Sequence, residues 1–159
     1  MYRSSEQSHI GDVLHSTDTN FANMLSVRFK VFNITPEQWI LLNSLAQKDG
    51  INQKELSVIA GKNQTIVTRM LDILERKRFV ERRADPNDRR AYRVYLTEKG
   101  MELQKVLLTV EDKTIKAVLK DIVPEKLDEF FRICDHINRN TEEFIKEFKK
   151  KPINCLNFD

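Results

Sequence analysis

The sequence predicts a mainly helical α+β fold: six helices, one two-stranded β-hairpin, and helical segments at both ends that pair with a second copy of the chain. Three observations carry this. Apolar residues recur at helical spacing over most of the chain. One stretch, residues 79–96, is instead rich in Val, Tyr and Phe around the turn sequence Asp85-Pro86-Asn87-Asp88. A last apolar seam, from Leu127 to Phe148, steps by threes and fours over about 25 residues, some 37 Å of helix, more than one small domain covers by itself.

Residues 1–11 are polar and without period, and read as a loose arm. A helix is expected over residues 13–32, with Phe21, Met24, Leu25, Phe29 and Phe32 on one wide stripe suited to both the domain core and a partner chain. Thr35-Pro36-Glu37-Gln38 opens the next helix: Thr35 caps, Pro36 sits where its missing N–H costs nothing, and Gln38 reaches back as in a capping box. That helix buries Trp39, Leu42 and Leu45 and stops near Gly50. Asn52-Gln53-Lys54-Glu55 repeats the pattern and starts a short helix through Ala60, which Gly61 ends.

Only Gly61 and Lys62 separate this helix from the next, as tight a connection as a helix-turn-helix requires. Asn63 caps the following helix. Ile66, Met70, Ile73 and Leu74 are expected on its inner face, with Thr65, Thr68, Arg69 and Asp72 left outside. Strands over residues 79–83 and 91–96 follow, and Thr97-Glu98-Lys99-Gly100 opens a fifth helix of about five turns. Val123-Pro124 breaks it, and the sixth runs from about residue 124 to 149. A helix followed by a hairpin with an arginine tip has the shape of a winged helix-turn-helix reader, one element suited to a major groove and the other to the minor groove beside it.

The residues Asp85 to Gly100, D-P-N-D-R-R-A-Y-R-V-Y-L-T-E-K-G, resemble the wing and following helix start of the MarR family of winged-helix transcriptional regulators. The upstream T-R-M-L-D-I-L-E-R-K-R-F-V-E-R-R resembles that family's recognition helix and first wing strand. The likeness is strong over residues 35–105 and rests on pattern alone in the flanking helices. It implies three regions of one domain: residues 1–34 as arm and dimerisation helix, 35–100 as the DNA-binding region, and 101–159 as the C-terminal dimerisation helices.

The charge distribution agrees. Of a formal net charge of +3, residues 62–95 hold ten Lys/Arg against five Asp/Glu, whereas residues 101–159 hold eleven against twelve. Positive charge gathers where phosphate would be met. Asn63, Gln64, Thr65, Thr68 and Arg69 are therefore expected at DNA. A guanidinium at 69 can bond guanine O6 and N7 or clamp a phosphate, and backbone N–H groups at the helix start face phosphate as well. Arg89 and Arg90 suit a narrow minor groove. The resemblance gives that role to the arginine two residues after an aspartate, here Arg90 after Asp88. Asp88 would brace an arginine rather than meet DNA, and Asp72 would hold Arg82 or Arg83.

The resemblance further implies a homodimer on a pseudo-palindromic operator, acting as a repressor that a small aromatic or anionic effector releases. Phe21, Met24, Arg28 and Trp39 are candidates to line the effector pocket, and ordinary packing accounts for each equally well. Composition excludes several other classes. No apolar run reaches the roughly 18 residues of a membrane span and no signal-peptide core is visible, which points to a soluble cytoplasmic protein. His9, His15 and His136 lack metal-ligand spacing, and no nucleophile-elbow, phosphate-loop or dinucleotide motif occurs, so neither enzyme, metal site nor cofactor is expected. The two cysteines, Cys134 and Cys155, read as reduced thiols. A peroxide-sensing branch of the family uses a cysteine near the N-terminus, and none precedes residue 134 here. The competing expectation is a protein-interaction module that kept the winged fold and lost DNA binding. It would have neutralised the reader, yet Arg69, Arg89 and Arg90 are all present.

Overall fold

The computed structural model describes residues 9–86 and 91–150, at Lys150 the backbone alone. Helix α1 (Ile10–Phe29) starts three residues earlier than its apolar stripe suggested and tightens into a 3-10 turn at Lys30–Phe32. Asn33, in the left-handed conformation at φ 55, stops the turn, as short polar side chains can. Helix α2 (Pro36–Gln47) begins with the expected reciprocal box: Thr35 Oγ1 accepts from Gln38 N at 3.2 Å, and Gln38 Oε1 accepts from Thr35 N at 3.3 Å.

A two-residue strand, β1 (Ile51–Asn52), leads directly into α3 (Gln53–Ile59), which Asn52 caps by accepting from Glu55 N at 2.9 Å. Gly61, at φ 58, turns the chain between α3 and α4 (Gln64–Arg76). The hairpin comprises β2 (Val80–Ala84) and β3 (Tyr92–Leu96), paired antiparallel with Val80 opposite Leu96 and Ala84 opposite Tyr92. Helices α5 (Glu98–Val118) and α6 (Pro124–Lys150) complete the described chain.

The sheet departs from the expected two strands. β1 pairs with β3, Ile51 opposite Val94, so the order is β1-β3-β2. This pairing joins residues more than 40 positions apart, and nothing local in two residues announces it.

The chain divides into two compact units, residues 1–115 and 116–159. In the first, Phe29, Leu41, Leu42, Leu45, Leu56 and Leu107 are fully buried, joined by Val94 from the sheet. Phe29 meets Trp39 edge-on, centroids 5.8 Å apart, a geometry aromatic quadrupoles favour. Helix α4 faces this core with Val67, Leu71 and Leu74, whereas Ile66 is 39% exposed and Met70 and Ile73 are half-buried. The inner stripe is thus turned from the expected one. Ile66 and Val67 are adjacent and both apolar, so periodicity alone does not choose between them.

The junction between hairpin and α5 is close-packed. Thr97 Oγ1 donates to Arg78 O at 2.7 Å and accepts from Gly100 N at 3.0 Å, while Thr97 N donates to Phe79 O at 3.1 Å. A Cβ added at Gly100 would lie 2.0 Å from Phe79 O, so glycine is required for the approach. Nearby, Lys77 Nζ donates to the Asn33 carbonyl, and burial lowers its pKa below the ordinary lysine value.

In the second unit, α6 carries its expected apolar seam. Leu127, Cys134 and Ile137 are half-buried, and Phe130, Phe131, Phe144, Ile145 and Phe148 are exposed. Among the described residues no helix is long and apolar enough to cross a membrane.

Candidate nucleic-acid interface

The outer face of α4 is built from its cap forward. Asn63 Oδ1 accepts from Ile66 N at 2.9 Å, which satisfies one of the first-turn donors and leaves the remainder pointing outward. Asn63, Gln64, Thr65 and Arg69 are all exposed on this face. Arg69 makes no ion pair among the described residues, so its guanidinium is available to an external anion. Thr68 differs. It is half-buried, its Oγ1 donates to Gln64 O at 2.8 Å, and it lies 3.5 Å from Gln53 Oε1. Its hydroxyl proton is engaged by the helix backbone and the group lies beside Gln53 of α3, leaving its oxygen as an acceptor.

Asp72 takes the expected partner. Arg82, on β2, donates from Nη2 to Asp72 Oδ1 at 2.7 Å and from Nη1 to Glu75 Oε2 at 2.6 Å. The Arg82 backbone N–H also donates to Glu75 Oε1 at 3.2 Å, and Nη2 lies 3.4 Å from Thr68 O. One guanidinium thus ties the hairpin to two successive turns of α4. Glu75 escaped the sequence reading, although its position three residues after Asp72 places both carboxylates on one helix face. Arg82 Nε is buried and has no hydrogen-bond partner among the described residues, because Glu75 spends its two oxygens on Nη1 and the backbone. Arg83 does not reach Asp72. It pairs with Glu81 and lies over the Tyr95 ring, 4.4 Å from the centroid.

A second clamp holds the hairpin further out. Arg93 Nε donates to Asp85 Oδ2 at 2.7 Å, with the Asp85 side chain 9% exposed, and Arg93 Nη1 lies 3.4 Å from Gly50 O. Asp85 N donates to Ala91 O at 2.9 Å, closing the base of the connection. Asp88, Arg89 and Arg90 lie outside the described residues. Lys54 and Lys62 stand exposed on α3 and in the turn before α4, two further cations near the outer face of α4 in sequence.

Of the four candidate pocket residues, Phe21 and Trp39 line one cavity of about 300 Å³ between α1, α2 and α5; Met24 and Arg28 do not line it. Trp39, 3% exposed, donates Nε1–H to Glu111 Oε1 at 2.8 Å across its wall. A smaller cavity of about 200 Å³ lies between the end of α2 and the start of α5, with Asp49 and Lys105 at its edge. Asn43 of the first cavity accepts from Gln104 of the second at 3.1 Å.

Two short helices joined by a tight turn, the second presenting a free polar face and clamped to an adjoining hairpin, define a winged helix-turn-helix protein. Residues 34–92 match the model of the MarR family. This match, over 59 of the 159 residues, gives that stretch the likeness of the MarR family of transcriptional regulators. Solved structures agree in fold. A MarR transcriptional regulator from Methanosarcina mazei Go1 is similar over 86% of this chain and 99% of its own, with a TM-score of 0.78 and 23% identity. A mutant MarR from E. coli complexed with operator DNA matches over 86% of this chain and 99% of its own, with a TM-score of 0.78 and 22% identity. The transcriptional repressor CouR bound to a 23-mer DNA duplex matches over 87% and 98%, with a TM-score of 0.76 and 21% identity.

Proposed function

We propose that this chain is a homodimeric, sequence-specific DNA-binding regulator, a cytoplasmic repressor released by a small effector. The observation that carries the reading is the exposed face of α4, where Asn63, Gln64, Thr65 and an Arg69 with no ion pair among the described residues stand clear of a buried Val67–Leu71–Leu74 stripe. Helix α4 reads the major groove, and the hairpin that Arg82 and Arg93 hold in place carries Arg89 and Arg90 to the minor groove. Asp72 and Asp88 serve as braces. Two copies present two recognition helices, which requires a pseudo-palindromic operator with half-sites about one helical turn apart. The two DNA-bound neighbours support this docking mode, and the exposed aromatic seam of α6 supports the pairing of chains.

Effector release draws on the cavity that Phe21 and Trp39 line. A ligand there would favour a spacing of the two recognition helices that does not match DNA, shifting a population rather than blocking the groove.

The test is a salt-series binding titration on duplex DNA from the chain's own upstream promoter. Arg90→Ala and Arg69→Ala should each weaken binding and lower the slope of log affinity against log salt by about one contact. If Arg69 reads a guanine, its variant also loses roughly 1–3 kcal/mol of discrimination at one base pair. Parental slopes in both variants would refute the proposed roles.

A further inference from the structure

Resting on the reading of the Trp39 cavity as the effector pocket, we infer that its ligand is a cationic amphiphile: a compact apolar body carrying an ammonium group. Phe21, Leu25 and Trp39 give the cavity an apolar wall, and about 300 Å³ suits a small single-ring molecule. Among the described residues its charged lining is Asp18 and Glu111, with no lysine, arginine or histidine. Arg28, the one cation among the four candidate pocket residues, does not line the cavity.

Glu111 is oriented for this role. Its Oε1 is held by the Trp39 indole N–H at 2.8 Å, and among the described residues Oε2 takes no hydrogen bond. The carboxylate is therefore fixed in direction, half-buried, and has one oxygen left for a donor. An ammonium there gains a charge-assisted bond in a partly desolvated site. A ligand carboxylate in the same place would meet two like charges, with no donor of opposite charge to offset them.

Trp39 is the only tryptophan in the chain, so its emission reports on the cavity wall directly. The experiment titrates the whole protein with 3-phenylpropylammonium and with 4-phenylbutanoate, two probes of matched length and opposite charge. The ammonium should change Trp39 emission saturably at a concentration at least about tenfold lower than the carboxylate. Glu111→Gln keeps an acceptor for the indole N–H while removing the charge; combined with Asp18→Asn it should bring the two probes to within about twofold. Equal or tighter binding of the carboxylate to the unaltered protein overturns the inference, and that comparison needs no variant. So does a lack of saturable change with either probe, or a preference that survives the double substitution.

Operator binding followed in the same titration separates the two readings. An ammonium that binds with the expected preference yet leaves the DNA complex intact supports the ligand class and defeats the effector role. Release of DNA by the carboxylate at lower concentration than the ammonium leaves the effector role standing and defeats the ligand class.

Discussion

Arg78 holds a left-handed backbone conformation, φ 61, one residue past the C-terminal cap of α4. Its amide donates to Glu75 O at 2.8 Å, closing the helix, and its carbonyl accepts from Thr97 Oγ1. The position needs left-handed geometry, and an arginine Cβ resists it by roughly 1–2 kcal/mol. Arg78→Gly should therefore stabilise the protein by about 1 kcal/mol, since the strain relieved exceeds the added freedom of the unfolded chain. In urea unfolding this appears as a higher midpoint at unchanged slope; a lower midpoint would mean that the side chain contributes more than its backbone costs. The caps at Thr35, Asn52 and Asn63 were legible because a cap acts within three residues of itself. Thr68 is expected on the outer face of α4; its hydroxyl donates to the helix carbonyl one turn back, a bond that the outer-face pattern does not reveal.

At the scale of elements, the hairpin is positioned by α4 through Arg82. Removing that guanidinium leaves Asp72 and Glu75 facing each other one turn apart without their shared counter-charge. Both carboxylates are more than a third exposed, which weakens the penalty well below that of a fully buried pair. Arg82→Met should thus cost only about 1–2 kcal/mol of stability, yet weaken operator binding more than that, because the hairpin loses its registration on the helix. Chemical denaturation and a binding titration together check this: equal losses in both would show that Arg82 contributes to folding alone. The elements themselves were foreseen to within a few residues, as was the break at Pro124. What escaped was the third strand at Ile51–Asn52 and the phase of α4, both decided by residues far away in sequence, Val94 for one and the helical core for the other.

For the whole molecule, the proposed dimer makes the exposed seam of α6 decisive. Phe131 and Phe144 are 57% and 61% exposed in a single chain, on a helix of 27 residues. Contiguous apolar surface of this kind marks an interaction face. Phe131→Asp with Phe144→Asp should shift the protein from dimer to monomer in sedimentation equilibrium and lower operator affinity at least about a hundredfold, as each monomer then grips one half-site alone. A double variant that sediments as a dimer would place the pairing surface elsewhere.

The contact between Gly100 and Phe79 has a mechanical corollary. Where backbone rests on backbone with room for not even one carbon, the joint has no play. A nudge to the first turn of α5 cannot be absorbed by a side chain changing rotamer; it must be handed on to the segment that joins α4 to the hairpin. The molecule is in this respect geared rather than cushioned, and a single methyl at residue 100 would jam the gear.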